Sequence, residues 1–421
     1  MTVHLLPHHN TRNRILYVHY GDNWLRGSEI VLLDLLKKAK ENQYSPLLWC
    51  NSQILATKAT ALGVEVILNN FVCLGYWTKP RWSFSAFFQQ LIKAKKIIQQ
   101  YNISIVHCNN GAPCQWMMPV CKLTDVPLVL HLHARYMFRD RLTLLFHGAD
   151  RIVGVSQSVL ALFNDNEFQA KQLQVIYNGI DPQRVISNTP RDIRAEVCAK
   201  KTDFVILYIG SLIPRKAVDQ LIHAVDKLKG DYAIKLAIIG SGSDESKLRS
   251  LVKELKLSVN VQFFASSDDA GEIYSSNVDC FISVPTEEVF GLTLAEASMA
   301  KLPIITTNIV GINEIYTDKT NALLVKPNAI DELVEAIKSL IENPFLRKKL
   351  ALKAHAHIEK SFSLTHQFND FDCTYQELLL SEHKYSVSKS ITQHIKLLVK
   401  ALLNKGVKVL ALRFSWRKSH D

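Results

Sequence analysis

Short apolar runs alternate with longer segments of helical period along almost the whole chain. Residues 15–20, 45–50, 64–68, 104–108, 128–132, 151–155 and 174–176 read as strands. Between them, 29–42 places Ile30, Leu33 and Leu36 on one face with charges opposite, which is helical spacing, and 87–101 repeats the pattern. A second alternation starts at 204. Strands are expected at 204–209, 235–239, 261–264, 280–284 and 303–306, with helices at 218–228, 244–255, 292–300 and 330–341. Strands separated by helices imply right-handed βαβ units and parallel sheets. The α/β pattern therefore predicts two Rossmann-like, doubly wound domains in tandem, with ligands at the carboxyl ends of the strands.

Length agrees, because 421 residues exceed one ordinary core and suit two. The turn cluster Tyr177-Asn178-Gly179-Ile180-Asp181-Pro182 is the expected boundary. The expected division is a first domain at 1–182, a second at 183–361, a helix at 362–385 and a basic tail at 386–421. With 48% hydrophobic and 21% charged residues, wholesale disorder is excluded.

The net charge of +11 suggests a polyanionic partner until it is located. From Lys384 to Asp421 there are nine Lys/Arg and one Asp, so this segment carries +8 and the rest of the chain only +3. The body has no basic stripe, and nucleic acid is not an expected partner. In the tail, Ile391, Ile395, Leu398 and Leu402 share one helical face and Phe414, Trp416, Arg417 and Lys418 end it. With its aromatic and basic end, that pattern fits an interfacial helix on an anionic membrane, a helix packed on the body with its lysines outward being the alternative. Trp77, Trp82, Phe84 and Phe87, with Lys79 and Arg81, form a second candidate contact, core aromatics being the alternative. Eight scattered cysteines without Cys-x-x-Cys spacing, no apolar leader and no spanning stretch lead to the expectation of a cytoplasmic protein, peripheral on the inner face of the plasma membrane.

The sharpest candidate for chemistry is Pro285-Thr286-Glu287-Glu288-Val289-Phe290-Gly291-Leu292-Thr293-Leu294-Ala295-Glu296. A strand ends, two acids follow, and Gly291 opens a helix whose first amides attract an anion. A favourable acid in a first helical turn explains the same residues, so both readings stand at this point. Tyr208-Ile209-Gly210-Ser211-Leu212-Ile213-Pro214-Arg215-Lys216 again joins strand to helix, and its two cations would neutralise a departing diphosphate or merely be solvated. Gly27 and Ser28 precede a helix, Gly240-Ser241-Gly242-Ser243 follows a strand, and His131 and His133 end another. Each alone is also an ordinary turn or a satisfied histidine. A His/Cys metal site is the rival for the histidine cluster, and it lacks ligand spacing. Asp370-Phe371-Asp372 reads as a solvated helix face.

The Glu-x7-Glu spacing from Glu288 to Glu296, with Phe290-Gly291-Leu292 inside and Ala300-Lys301-Leu302-Pro303 after it, resembles retaining glycosyltransferase family 4. The resemblance covers about residues 15–380 and implies a GT-B fold with a nucleotide-sugar in the cleft. By it, Glu288 contacts the donor sugar and Glu296 the ribose hydroxyls, while Phe290, Gly291 and Leu292 hold the donor phosphate. Lys216 matches the family lysine. Ser211 stands where its arginine is usual, and that role passes to Arg215. Gly27 and Ser28 resemble the glycine-rich donor loop, in which Arg26 replaces the first glycine. Gly210 and Gly242 lie on donor-side loops, His133 lies against the sugar or its phosphate, and His107 lies near the acceptor. The implied activity is metal-independent transfer of a hexose from a UDP- or GDP-sugar, with retention, to a glycan or lipid-linked glycan of the bacterial envelope. No cofactor is expected. Sugar-nucleotide epimerisation and non-catalytic polyanion binding are the alternatives.

Overall fold

The structure, a computed structural model, describes residues 13–75, 81–163, 168–265 and 269–381. Among these, 13–155, 159–176 and 368–381 group as one unit, and 156–158 with 177–367 as another. The tail at 386–421, Trp77 and Lys79 lie outside the described residues.

Unit 1 is built on strands β1 (Asn13–His19), β2 (Tyr44–Cys50), β3 (Glu65–Leu68), β4 (Ile103–Asn109), β5 (Leu128–Leu132), β6 (Arg151–Gly154) and β7 (Leu173–Val175). They form one sheet in the order β3-β2-β1-β4-β5-β6-β7, with every pair parallel. Helices α1 (Gly27–Glu41), α2 (Gln53–Ala61), α3 (Phe84–Gln100), α4 (Cys114–Thr124), α5 (Phe138–Thr143) and α6 (Gln157–Leu160) follow the strands in sequence. All five residues of β5 are buried, as a central parallel strand covered on both faces requires. α4, like α2 and the later helix Pro344–Ser361, is an element that periodicity did not flag. It carries Pro119 and no charge before Lys122, and its inward face is Cys114, Trp116, Met117, Val120 and Cys121.

Unit 2 repeats the plan with β8 (Phe204–Ile209), β9 (Ile234–Ile239), β10 (Val261–Phe264), β11 (Cys280–Ser283), β12 (Ile304–Thr307) and β13 (Leu323–Val325) in the order β10-β9-β8-β11-β12-β13. Its helices are α7 (Pro182–Val185), α8 (Ile193–Glu196), α9 (Val218–Leu228), α10 (Glu245–Glu254), α11 (Ala270–Tyr274), α12 (Leu292–Met299), α13 (Ile330–Glu342) and α14 (Pro344–Ser361). The core joins Ile206, Leu236 and Ile282 of the sheet to Leu221 and Val225 of α9 and Ile337 of α13. α9 and α13 keep apolar residues at helical spacing, so their burial follows directly from pattern.

The turn cluster at 177–182, expected to end the first domain, belongs to unit 2. Ile180 bridges Ser363, and a Cβ on Gly179 would come within 2.5 Å of the Leu364 backbone, so these strands of chain are in direct backbone contact. The last helix, α15 (Leu364–Leu380), has its body in unit 1. There Asp372 accepts a hydrogen bond from Tyr44, and Phe371 is fully buried. The reading of Asp370-Phe371-Asp372 as a solvated face is corrected, because this stretch packs on the unit 1 sheet.

Candidate active site

In each sheet the strand order reverses between the first and fourth strands, and the crevice at their carboxyl ends is where such folds bind ligands. In unit 2 those strands are β8 and β11. The loops that leave them carry the two sharpest segments of the sequence, and the fold brings them together. Lys216 Nζ lies 2.6 Å from Glu288 Oε2, and both side chains are nearly buried. Arg215 is more exposed, with Nη1 3.6 Å from the same carboxylate oxygen and donating to the Glu287 carbonyl at 3.1 Å. The loops are also tied through their backbones, since Thr286 N donates to the Arg215 carbonyl at 2.8 Å. Burial alone would raise the Glu288 pKa. The Lys216 charge and hydrogen bond, the Arg215 charge and the Val289 amide outweigh it and hold the carboxyl below its usual range.

Gly291 caps α12 in the left-handed region, at φ 82°, and no side chain caps the helix. Glycine adopts that conformation without penalty, which leaves the positive end of α12 beside the Glu288 loop and suited to an anion. Gly210 and Gly242 sit on adjoining loops of the same sheet edge. A Cβ on Gly240 would lie 1.9 Å from the Gly210 carbonyl oxygen, and one on Gly242 2.2 Å from that of Leu212. The loops pack backbone to backbone, and their Gly-x-Gly spacing is a steric requirement of that approach.

Glu296 is buried in the second turn of α12. Arg184 Nη1 donates to its Oε1 at 2.5 Å and Tyr274 Oη to its Oε2 at 2.8 Å. Arg184 and Tyr274 escaped sequence reading, because nothing in their local sequence marks a carboxylate partner far along the chain. Glu314 is another such residue. It accepts from the amides of Gln157 and Ser158 at 2.7 and 2.9 Å and from Tyr177 Oη at 3.1 Å.

In unit 1 the switch lies between β1 and β4. Sheet register places His19 beside Asn109, and Asn109 beside His131. From this edge a buried chain of hydrogen bonds runs outward. His19 Nε2 is 2.9 Å from Glu29 Oε1, Asn109 Nδ2 is 3.0 Å from His19 Nδ1, and His133 Nε2 is 2.9 Å from Asn109 Oδ1. His19 Nδ1 also lies 3.0 Å from the Asn109 backbone carbonyl oxygen. His19 Nε2–H donates to Glu29, and His133 donates to Asn109 Oδ1 through Nε2–H. His133 then keeps Nδ1 as its acceptor. Burial would raise the Glu29 pKa, but the His19 bond and charge, with backbone bonds at Glu29 and Arg26, hold it at about 2. Burial drives His133 down to about 3, against the opposing pull of Glu29.

Gly27 and Ser28 are the first residues of α1, and Ser28 Oγ donates to Glu29 Oε2 at 3.0 Å. Ser28 thus helps to hold Glu29. His131 is fully buried with its ring 4.2 Å from that of His133. His107 bonds Tyr375 Oη through Nδ1 at 2.7 Å, inside unit 1. Among the described residues no group of three or more His, Cys, Asp or Glu is arranged to hold a metal ion.

This pair of Rossmann-like units and the acid–base pair at the second switch point define a GT-B glycosyltransferase. Residues 25–184 match Glycosyltransferase Family 4 and residues 190–357 match Glycosyl transferases group 1, and the chain belongs to this family. It is 30% identical over 273 residues to an uncharacterized glycosyltransferase of Methanocaldococcus jannaschii, covering 61% of this chain and 70% of that protein. It is 26% identical over 243 residues to an O-antigen biosynthesis glycosyltransferase of Escherichia coli, covering 58% and 63%. The fold also matches Anabaena HepE in complex with UDP and glucose, with a TM-score of 0.74 at 19% identity, over 87% of this chain and all of that one.

Proposed function

We propose that the protein transfers a sugar from a nucleotide-sugar to a hydroxyl of a glycan or lipid-linked glycan of the bacterial envelope, with retention and without a metal. The observation that carries this reading is the Lys216–Glu288 pair at the switch point of unit 2, beside the glycine-capped start of α12. A diphosphate gains charge as it departs, and a cation with oriented amides stabilises that charge most in the transition state. Lys216 and Arg215 fill the first role and the amides at Phe290, Gly291 and Leu292 the second. Glu288 and His133 orient the sugar. No carboxylate is assigned as a nucleophile, so the reading is front-face, with the leaving phosphate helping to deprotonate the acceptor hydroxyl.

The HepE structure holds UDP and glucose, which puts UDP-sugars first among donors. The O-antigen relative supports an envelope glycan as acceptor. No nucleic-acid partner is proposed. Among the described residues no helix is long and apolar enough to cross a membrane. Glu296, which the family resemblance assigns to the ribose hydroxyls, retains acceptor capacity beside Arg184 and Tyr274, since a carboxylate offers about four lone-pair sites.

The test is a panel of UDP-, GDP- and ADP-sugars assayed for hydrolysis in chelator, followed by NMR of the anomeric proton in the product. One donor turned over in chelator with an unchanged anomeric configuration supports the proposal. An inverted linkage refutes retention, dependence on added metal refutes metal independence, and interconversion of the nucleotide-sugar without an acceptor product identifies an epimerase.

A further inference from the structure

Helix α3 of unit 1 carries an apolar stripe that the fold leaves open. Its buried side is Gln90, Ala94, Ile97 and Ile98. Phe84, Phe88 and Ile92, at i, i+4 and i+8, point elsewhere and are exposed by 64%, 63% and 44%. Trp82 precedes the helix at 63% exposure, with its ring stacked 6.0 Å from that of Phe84. Trp82 is not loose. Gly75 N donates to the Arg81 carbonyl at 2.9 Å, and a Cβ on Gly75 would meet the Trp82 ring at 3.0 Å, so the indole rests over bare backbone. Isolated exposed apolar residues are ordinary, whereas four large ones in one stripe call for a covering.

The expectation for this region paired Trp82 and Phe84 with Phe87. The structure turns Phe87 half inward and brings out Phe88 and Ile92 instead. Helical period explains the exchange, since Phe88 stands one turn beyond Phe84 and Phe87 falls toward the buried side.

Charge says what covers the stripe. Between Glu65 and Asp125 the sequence contains no acid and six cations, Lys79, Arg81, Lys93, Lys95, Lys96 and Lys122. Lys122 pairs with Asp150. Arg81, Lys93, Lys95 and Lys96 are exposed, and the last three extend the solvent side of α3 just beyond the apolar stripe. A helix with an aromatic-rich stripe, flanking cations and no acids has the composition of one lying in a bilayer interface. A protein partner would leave the absence of acids without a role, because mixed rims are ordinary there. We propose that α3, with Trp82, docks unit 1 on an anionic lipid bilayer, with Phe84, Phe88 and Ile92 entering the headgroup–acyl boundary and the lysines meeting lipid phosphates. This surface is separate from the basic tail and from every residue assigned above to donor or sugar.

The experiment is flotation of the full chain with phosphatidylglycerol–phosphatidylcholine vesicles and with pure phosphatidylcholine vesicles, at low salt. Binding should favour the anionic vesicles. The F84S/F88S/I92S variant should partition at least about tenfold more weakly, and K93E/K95E/K96E should lose at least about fivefold per lysine removed. All these positions are exposed, so circular dichroism and the urea midpoint should match the parent, and donor hydrolysis in detergent-free buffer should persist. Quenching of tryptophan fluorescence by brominated acyl chains should fall in W82F, which reads insertion of this segment whatever the tail contributes. The proposal is overturned if the triple serine variant partitions like the parent, if W82F is quenched like the parent, or if neutral vesicles bind the parent as well as anionic ones do.

Discussion

Lys216 and Glu288 are held 2.6 Å apart by loops from two different strands, 72 residues distant in the chain. In this state the cation and the carboxylate neutralise each other in a nearly dry setting. On the proposed function, a diphosphate arriving beside Lys216 would take over part of that pairing and release Glu288 toward a hydroxyl. Lys216→Ala should lower turnover by about 10²–10³-fold, and Glu288→Gln by a similar factor. Because each change leaves its partner buried without its counter-charge, the double variant should be less damaged than the product of the two. Initial rates for the four proteins of this cycle measure the coupling, and strict multiplicativity would show that the pair does not act as a unit.

Glu29 acts on His133 through His19 and Asn109. Glu29→Gln removes the carboxylate that holds His19 Nε2 and, through Asn109, the ring of His133. Turnover should fall by about 10²-fold, as for a misplaced catalytic group, while the KM for donor stays within about twofold. Stability should drop by about 2 kcal/mol, in the range for a buried bond to a charged group. A KM that rises with unchanged kcat would instead make Glu29 part of donor binding.

Gly240 has φ at 148°, and a side chain there would collide with the Gly210 carbonyl oxygen. Gly240→Ala should cost at least about 2 kcal/mol, from backbone strain and separation of the two loops. Gly230→Ala provides the contrast, since nothing lies within 4 Å of its added Cβ. Urea denaturation of both variants checks this, and equal midpoints would contradict it.

The histidine cluster makes acid costly. Burial and, for His107, the nearby His133 hold that imidazole at about 3, burial holds His133 there too, and burial keeps His131 well below its usual value. The unfolded chain takes these protons near pH 6.5, whereas the folded chain refuses those of His107 and His133 until about 3 and that of His131 until well below its usual value. Stability is therefore complete above about pH 6.5 and falls as pH drops toward 3, by up to about 1.4 kcal/mol per pH unit for each group. Glu29 runs in a lower window, since its stabilisation is present above the ordinary carboxylate range and is lost as pH falls toward about 2. His131→Asn should make the decline between pH 6 and 4 shallower by about one proton. Urea midpoints across that range measure it, and an unchanged slope would remove His131 from the account.

The alternation of β-branched runs with helical periods was enough to read two doubly wound units, because burial on both faces of a parallel sheet writes itself into consecutive residues. β5, β8, β10 and α9 carry the bounds that the pattern predicted. α4 was illegible, since a mostly buried helix with an internal proline shows neither a polar face nor a clean period. Gly291, Glu288 and Lys216 were legible because strand–loop–helix context and residue type act over a few positions.

Local pattern was sufficient for the two-unit fold class, the surplus of charge in the tail and the candidate loops. Which residues meet was settled by packing. It set Lys216 on Glu288, Arg184 and Tyr274 on Glu296, and Glu29 on His133 through two intermediaries. It also decided which aromatic residues of α3 face outward. The physical reason is that periodicity and turn chemistry are local, whereas a hydrogen bond between distant loops depends on sheet order and register, which arise when the whole chain packs.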